Sequence, residues 1–112
     1  MIARTWRGSA SGDNAVAYQR HFSDTVAPAL QALPGQRGAY LLRREVGGRT
    51  EFLAVTLWDS REAIHAFAGA DIGKAHVEPE ARAVLAEFDD FANHYEVVLG
   101  PGQRPRRIEV PA

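Results

Sequence analysis

Cysteine is absent from the 112-residue chain, which excludes disulfides, thiolate metal sites and cysteine nucleophiles and leaves the redox compartment unread. An excess of charge of either sign is lacking too. Thirteen Lys and Arg residues face fourteen Asp and Glu, for a net charge of −1. That balance removes the attraction on which general nucleic-acid binders and acidic-membrane binders depend. Long apolar runs are also missing: the longest, Phe52 to Trp58, contains Thr56 and is far shorter than the ~20 residues that cross a bilayer. No apolar stretch follows Arg4 and Arg7 as it would in a secretory leader. The expectation is a soluble cytoplasmic protein with neither nucleic acid nor membrane as partner. Four His residues are present without an H-x-x-x-H or H-E-x-x-H pair, so no dedicated metal site is expected.

What is there is ordinary globular material, 46% hydrophobic and 24% charged, enough for one domain with its own core. Ile2 to Arg7 reads as a strand that stops at Gly8. Ser11 or Asp13 is available to cap a helix, in which Tyr18, Phe22, Val26, Ala29, Leu30 and Leu33 recur at steps of three and four. Pro28 should kink that helix, and Pro34-Gly35 ends it. Gly38 to Val46 and Glu51 to Trp58 read as two strands joined by Gly47-Gly48-Arg49. Asp59-Ser60 caps a short helix whose inward face is Ile64, Phe67 and Ala68. Residues 70–78 read as a loop. Pro79 opens another helix, with Ala81, Val84, Leu85 and Phe88 as its stripe. Asn93 to Leu99 alternates as a last strand, and residues 100–112, with prolines but no periodicity, read as a tail on a domain of residues 1–99.

The order β-α-β-β-α-(α)-β is that of a ferredoxin-like α+β fold, a split βαβ with a four-stranded antiparallel sheet. Its third strand is apolar on both faces, and helices on one side cover only one of them. An uncovered face of that kind exceeds what monomers usually expose. A second copy is the economical cover, so a homodimer built sheet against sheet is expected.

The opening Met1-Ile2-Ala3-Arg4, the turn Pro34-Gly35-x-x-Gly38-Ala39 and the run Leu57-Trp58-Asp59-Ser60-x-Glu62-Ala63 resemble the antibiotic biosynthesis monooxygenase-like family. So do Phe67-Ala68 and His94-Tyr95-Glu96-Val97, and the likeness spans residues 1–99. It implies a dimeric α/β barrel. The family it points to includes cofactor-free oxygenases of hydroxyaromatic or quinol substrates, heme-degrading monooxygenases, and many members with no known activity. In the aromatic-polyketide oxygenases an Asn and a Tyr flank the Trp that Trp58 matches; Ala54 and Ile64 stand at those positions here. In the heme degraders a strand Asn, a helix Trp and a proximal His act together; their counterparts are Thr5, Phe67 and His76.

The leading expectation is a cofactor-independent monooxygenase acting on a small aromatic ligand held between sheet and helices. His76, in the loop, or His94, on the last strand, would be the base, since a neutral imidazole takes a phenolic proton near neutral pH. Trp58, Phe67 and Phe22 would wall the pocket, with His21 and Tyr18 at its edge. Strand alternation places Trp58 with Ala54 and Thr56, and the expectation is that Trp58, Phe67 and His94 line one cavity on the helix side. The alternatives are a non-catalytic ligand-binding or stress-associated dimer, and a heme-binding protein with His76 as axial ligand.

Overall fold

The β-branched and aromatic opening forms β1, Ile2–Ala10, longer than the sequence suggests because its tail pairs on both sides. The computed structural model describes residues 1–100; residues 101–112, which make up nearly all of the expected tail, lie outside the described residues. Around β1 the sheet is antiparallel throughout. β3 (Arg49–Trp58) pairs along its whole length from Ile2↔Trp58 to Ala10↔Thr50, and β2 (Gln36–Val46) pairs the outer edge of β3. The ferredoxin-like α+β reading agrees with this architecture. The sheet of the single chain is open, not a closed barrel.

The expected continuous helix is interrupted. Gly12 rather than Ser11 or Asp13 stands at its N-cap, without a side-chain cap bond, and α1 covers Asp13–His21. A π-helical turn comes next, over Phe22–Val26, closed by the Ala27 N–H on the Phe22 carbonyl, five residues back. Then α2 runs over Ala27–Gln31 with Pro28 in its first turn. Pro28 has no N–H for the carbonyl four residues earlier, and the wider turn absorbs that missing bond. Gly35, at φ 80°, closes the segment, and a Cβ there would meet that of Ala63 at 2.8 Å, so only glycine fits. α3, Arg61–Ala68, starts on Ser60, whose Oγ accepts from the Ala63 N–H at 3.2 Å.

The last part of the chain corrects two expectations. The helix opened by Pro79, α4, ends at Val84, and Phe88 belongs instead to β4, Glu87–Phe88, paired with Ser9 and Gly8. The free edge of β1 draws the chain out of the helix: Ala86 N–H donates to Ser9 O and Asp89 N–H to Arg7 O. β5, Asn93–Glu96, is shorter than expected because β1 begins at Ile2, so the ladder ends where Val97 donates to Met1 O. The single fourth strand is therefore two strands on one edge, five among the described residues. Between them Trp6 Nε1 donates to the Asp89 carbonyl at 2.7 Å. Backbone bonds Ala75 N–H to Asp90 O and Ala92 N–H to Gly73 O tie residues 90–92 to the 73–75 segment.

The helices among the described residues pack on one face of the sheet. Along β3, Thr50, Phe52, Ala54, Thr56 and Trp58 are buried there, while Leu53, Val55 and Leu57 point the other way. Two clusters fill the space beneath the helices. One holds Ile2, Phe22, Leu30, Trp58 and Ile64; the other holds Tyr18, Phe52, Ala81 and Leu85, with Trp6 and Leu41 touching both. The opposite face carries the half-buried Leu53, Val55 and Leu57 beside Tyr40, Leu42 and Tyr95, each about half exposed.

Candidate functional site

Between the two clusters the packing leaves a cavity. Its floor is the sheet: Arg4 and Trp6 of β1 with Ala54 and Thr56 of β3. Its walls are Tyr18, His21, Phe22, Val26 and Leu30 from the interrupted helix, and Phe67 from α3. The side toward solvent is made by His76, Val77 and Glu78 ahead of α4. The space is small, about 60 Å³ for the centres of water-sized molecules, where pockets for drug-sized ligands reach ~300–1,000 Å³.

The π-helical turn shapes one wall, because its extra residue rotates the downstream side chains away from their places in an unbroken helix. Phe22 at its start and Val26 at its end both face the cavity. Opposite them, Phe67 is held between Trp58, at 6.1 Å between ring centroids, and His76, edge-on at 5.7 Å. His76 is itself exposed. His21 is nearly covered, its side chain 12% exposed, and its Nε2 is buried without a hydrogen bond. The nearest carboxylate, Glu78 Oε2, is 3.9 Å away.

Tyr18, His21, Phe22, Phe67 and His76 thus stand together around one cavity. Trp58 and His94 do not. Trp58 is on the helix side but fully buried behind Phe67, its Nε1 donating to Thr56 Oγ1 at 2.8 Å. The indole is too large to stop at the wall; it fills the core, and Thr56 takes its place on the lining. His94 is opposite Arg4 in the β1–β5 ladder, hence on the helix side, but off the lining. Burial, then the charges of Arg4 and Arg61, hold its pKa below the ordinary imidazole value, which makes it a weak base.

Sequence reasoning passed over Arg4, Trp6 and Glu78. Arg4 is 5% exposed, sits between Ile2 and Trp6 on the inward side of β1, and its pKa is lowered by burial. Its Nη2 donates to the carbonyls of Lys74 at 3.0 Å and Ile72 at 3.5 Å, its Nε has no partner, and its Cζ lies 5.6 Å from the Phe67 centroid. A charged residue at an inward strand position, between two apolar ones, was the available signal. Glu78 reads as a solvated helix residue until the loop folds it over the cavity. Among the described residues no cluster of His, Asp and Glu could hold a metal ion, and no helix is long and apolar enough to cross a membrane.

The sequence matches the family described as antibiotic biosynthesis monooxygenase over residues 1–79. No curated protein matches it. Among solved structures, SnoaB, a cofactor-independent oxygenase from Streptomyces nogalater, aligns with a TM-score of 0.63 at 16% identity, covering 91% of this chain and 97% of that one. The heme-degrader MhuD from Mycobacterium tuberculosis aligns at 0.59 and 26% identity, covering 91% and 100%. A Streptomyces coelicolor monooxygenase from the gene ActVA-Orf6, in complex with nanaomycin D, aligns at 0.54 and 14%, covering 99% and 92%.

Proposed function

From the premise that this chain belongs to the antibiotic biosynthesis monooxygenase family, we propose that it oxygenates a small hydroxyaromatic or quinol in the cavity between sheet and helices, without a resident cofactor. The observation that carries this reading is the convergence of three aromatic lining residues, Trp6, Phe22 and Phe67, with a buried imidazole nitrogen that makes no hydrogen bond, His21 Nε2. The rings hold a planar ligand and keep water from it. His21 takes the phenolic proton, and the Glu78 carboxylate at 3.9 Å steadies the imidazolium. His76 at the mouth is the second candidate base. The deprotonated ring is electron-rich enough to reduce O₂ directly. A ring C–H becomes a quinone C=O, one oxygen atom enters the product and the other leaves as water.

Oxygen uptake with hydroquinones and dihydroxynaphthalenes, in protein free of added flavin and metal, tests this. The expected result is uptake above autoxidation that falls about 100-fold in His21→Gln, the lower end of what a positioned base contributes. No uptake above the protein-free rate overturns the reading. Binding without uptake would support the alternative, a non-catalytic ligand-binding dimer. That alternative is favoured by Ala54 and Ile64, where the oxygenases place polar residues; Ile64 is fully buried in the core.

Heme does not fit this site. His76 is available as a ligand, but the Phe67 ring lies edge-on against it at 5.7 Å, and a cavity of about 60 Å³ that must already widen for one ring would have to open several-fold further for a porphyrin. The apolar sheet face opposite the helices supports a homodimer packed sheet to sheet.

A further inference from the structure

Arg4 carries a full charge at 5% exposure, and among the described residues no carboxylate comes within 4.0 Å of it. Both of its hydrogen bonds leave from Nη2 and end on main-chain carbonyls, which position the group but do not neutralise it. Nε is buried and has no acceptor. Buried charges are normally paired, because an uncompensated one is costly to keep out of water. This one lines a cavity instead. A second buried nitrogen of the same cavity, His21 Nε2, is likewise without a hydrogen-bond partner. Among the described residues the only carboxylate on the lining, Glu78, stands by His21 and not by Arg4.

We propose that the occupant of this cavity is an aromatic acid, a single hydroxylated ring whose carboxylate is the missing counter-ion of Arg4. The ring then lies among Phe22, Phe67 and Trp6, and its hydroxyl is presented to His21. One ring is the smallest aromatic occupant and asks least of the walls: an apolar cavity of ~150 Å³ accommodates benzene, so this one, at about 60 Å³, must widen even for that. The widening that this proposal requires falls on the less buried lining residues, the partly buried Phe67 and the exposed His76. A guanidinium–carboxylate contact in a dry site is a strong one, since charged hydrogen bonds are about twice as strong as neutral ones. This inference rests on the proposed oxygenation of a hydroxyaromatic and narrows its substrate class.

The test separates the two. Binding of 2,5-dihydroxybenzoate and of its methyl ester is measured anaerobically on the full chain, by quenching of tryptophan fluorescence, and oxygen uptake is measured with both. The acid is expected to bind at least about tenfold tighter than the ester, the loss typical of one charged hydrogen bond. Arg4→Met should erase that preference while the ester still binds. If Arg4→Met fails to fold, the comparison of acid and ester in the unaltered protein decides alone. Equal binding of acid and ester, or failure of both to bind, overturns the aromatic-acid assignment. Oxygen uptake with neutral hydroquinones would then leave the oxygenase reading intact. A strong preference for the acid with no oxygen uptake from any quinol upholds the acid site and overturns the oxygenase.

Discussion

At the scale of single residues, the polar atoms under the helices matter most because each has few partners. Trp58 is fully buried and its indole N–H has Thr56 Oγ1 as acceptor at 2.8 Å. Thr56→Val keeps the shape but strands that donor, so a loss of about 1–3 kcal/mol is expected in chemical denaturation, and Thr56→Ser should recover most of it. His94 makes a prediction about pH. Its folded pKa lies below the ordinary 6.5 for reasons of burial and of the nearby Arg4 and Arg61. The unfolded chain therefore binds the proton more readily than the folded one. His94 costs nothing above about 6.5 and destabilises the fold progressively as the pH falls below it. His94→Gln is expected to flatten the decline in melting temperature between neutral pH and about pH 5; an unchanged decline would assign the acid sensitivity elsewhere.

At the scale of elements, alternation and helical spacing were legible wherever one face is apolar. The faces of β3 and the stripe of α3 come directly from their residues, and so does the Ser60 cap. Ser60→Ala is expected to cost about 1 kcal/mol, read from thermal melts, because the Ala63 N–H loses its acceptor. What sequence periodicity could not convey was competition between elements. Phe88 fits a helical stripe, yet the unpaired edge of β1 at Gly8 and Ser9 takes it into β4. The π-helical turn is similarly invisible, since Phe22 and Val26 are spaced as in any helix and only Pro28 hints at a break. The same limit hid half of the site. The aromatic and His candidates on the first helix were legible, but the alternation Ile2-Arg4-Trp6 acquires meaning only once its strand is known to be central, and Glu78 reads as a solvated charge until its loop is known to fold back.

At the scale of the whole molecule, the sheet has one finished side. Tyr40, Leu42 and Tyr95 are each about half exposed around the half-buried Leu53, Val55 and Leu57. Light scattering at micromolar concentration is expected to return twice the chain mass, and Val55→Glu, in the middle of that surface, to return the mass of one chain with the fold preserved by circular dichroism. A single-chain mass for the unaltered protein would remove the case for a pair. Residues 101–112 lack any apolar period, so their removal is expected to leave both melting temperature and mass ratio unchanged.

The Nη2 of Arg4 bonds the carbonyls of Ile72 and Lys74 and so fastens the segment before α4 to the middle of the sheet. That segment is otherwise held to residues 90–92 by the Ala75 and Ala92 amides. Amide hydrogen exchange would register this as a cooperative unit smaller than the domain. Ala75 and Ala92 should lose protection together and well before the central ladder of β3. A bound acid that fixes Arg4 should slow both in step, so occupancy of the cavity would be written in the exchange rates of two amides that do not line it.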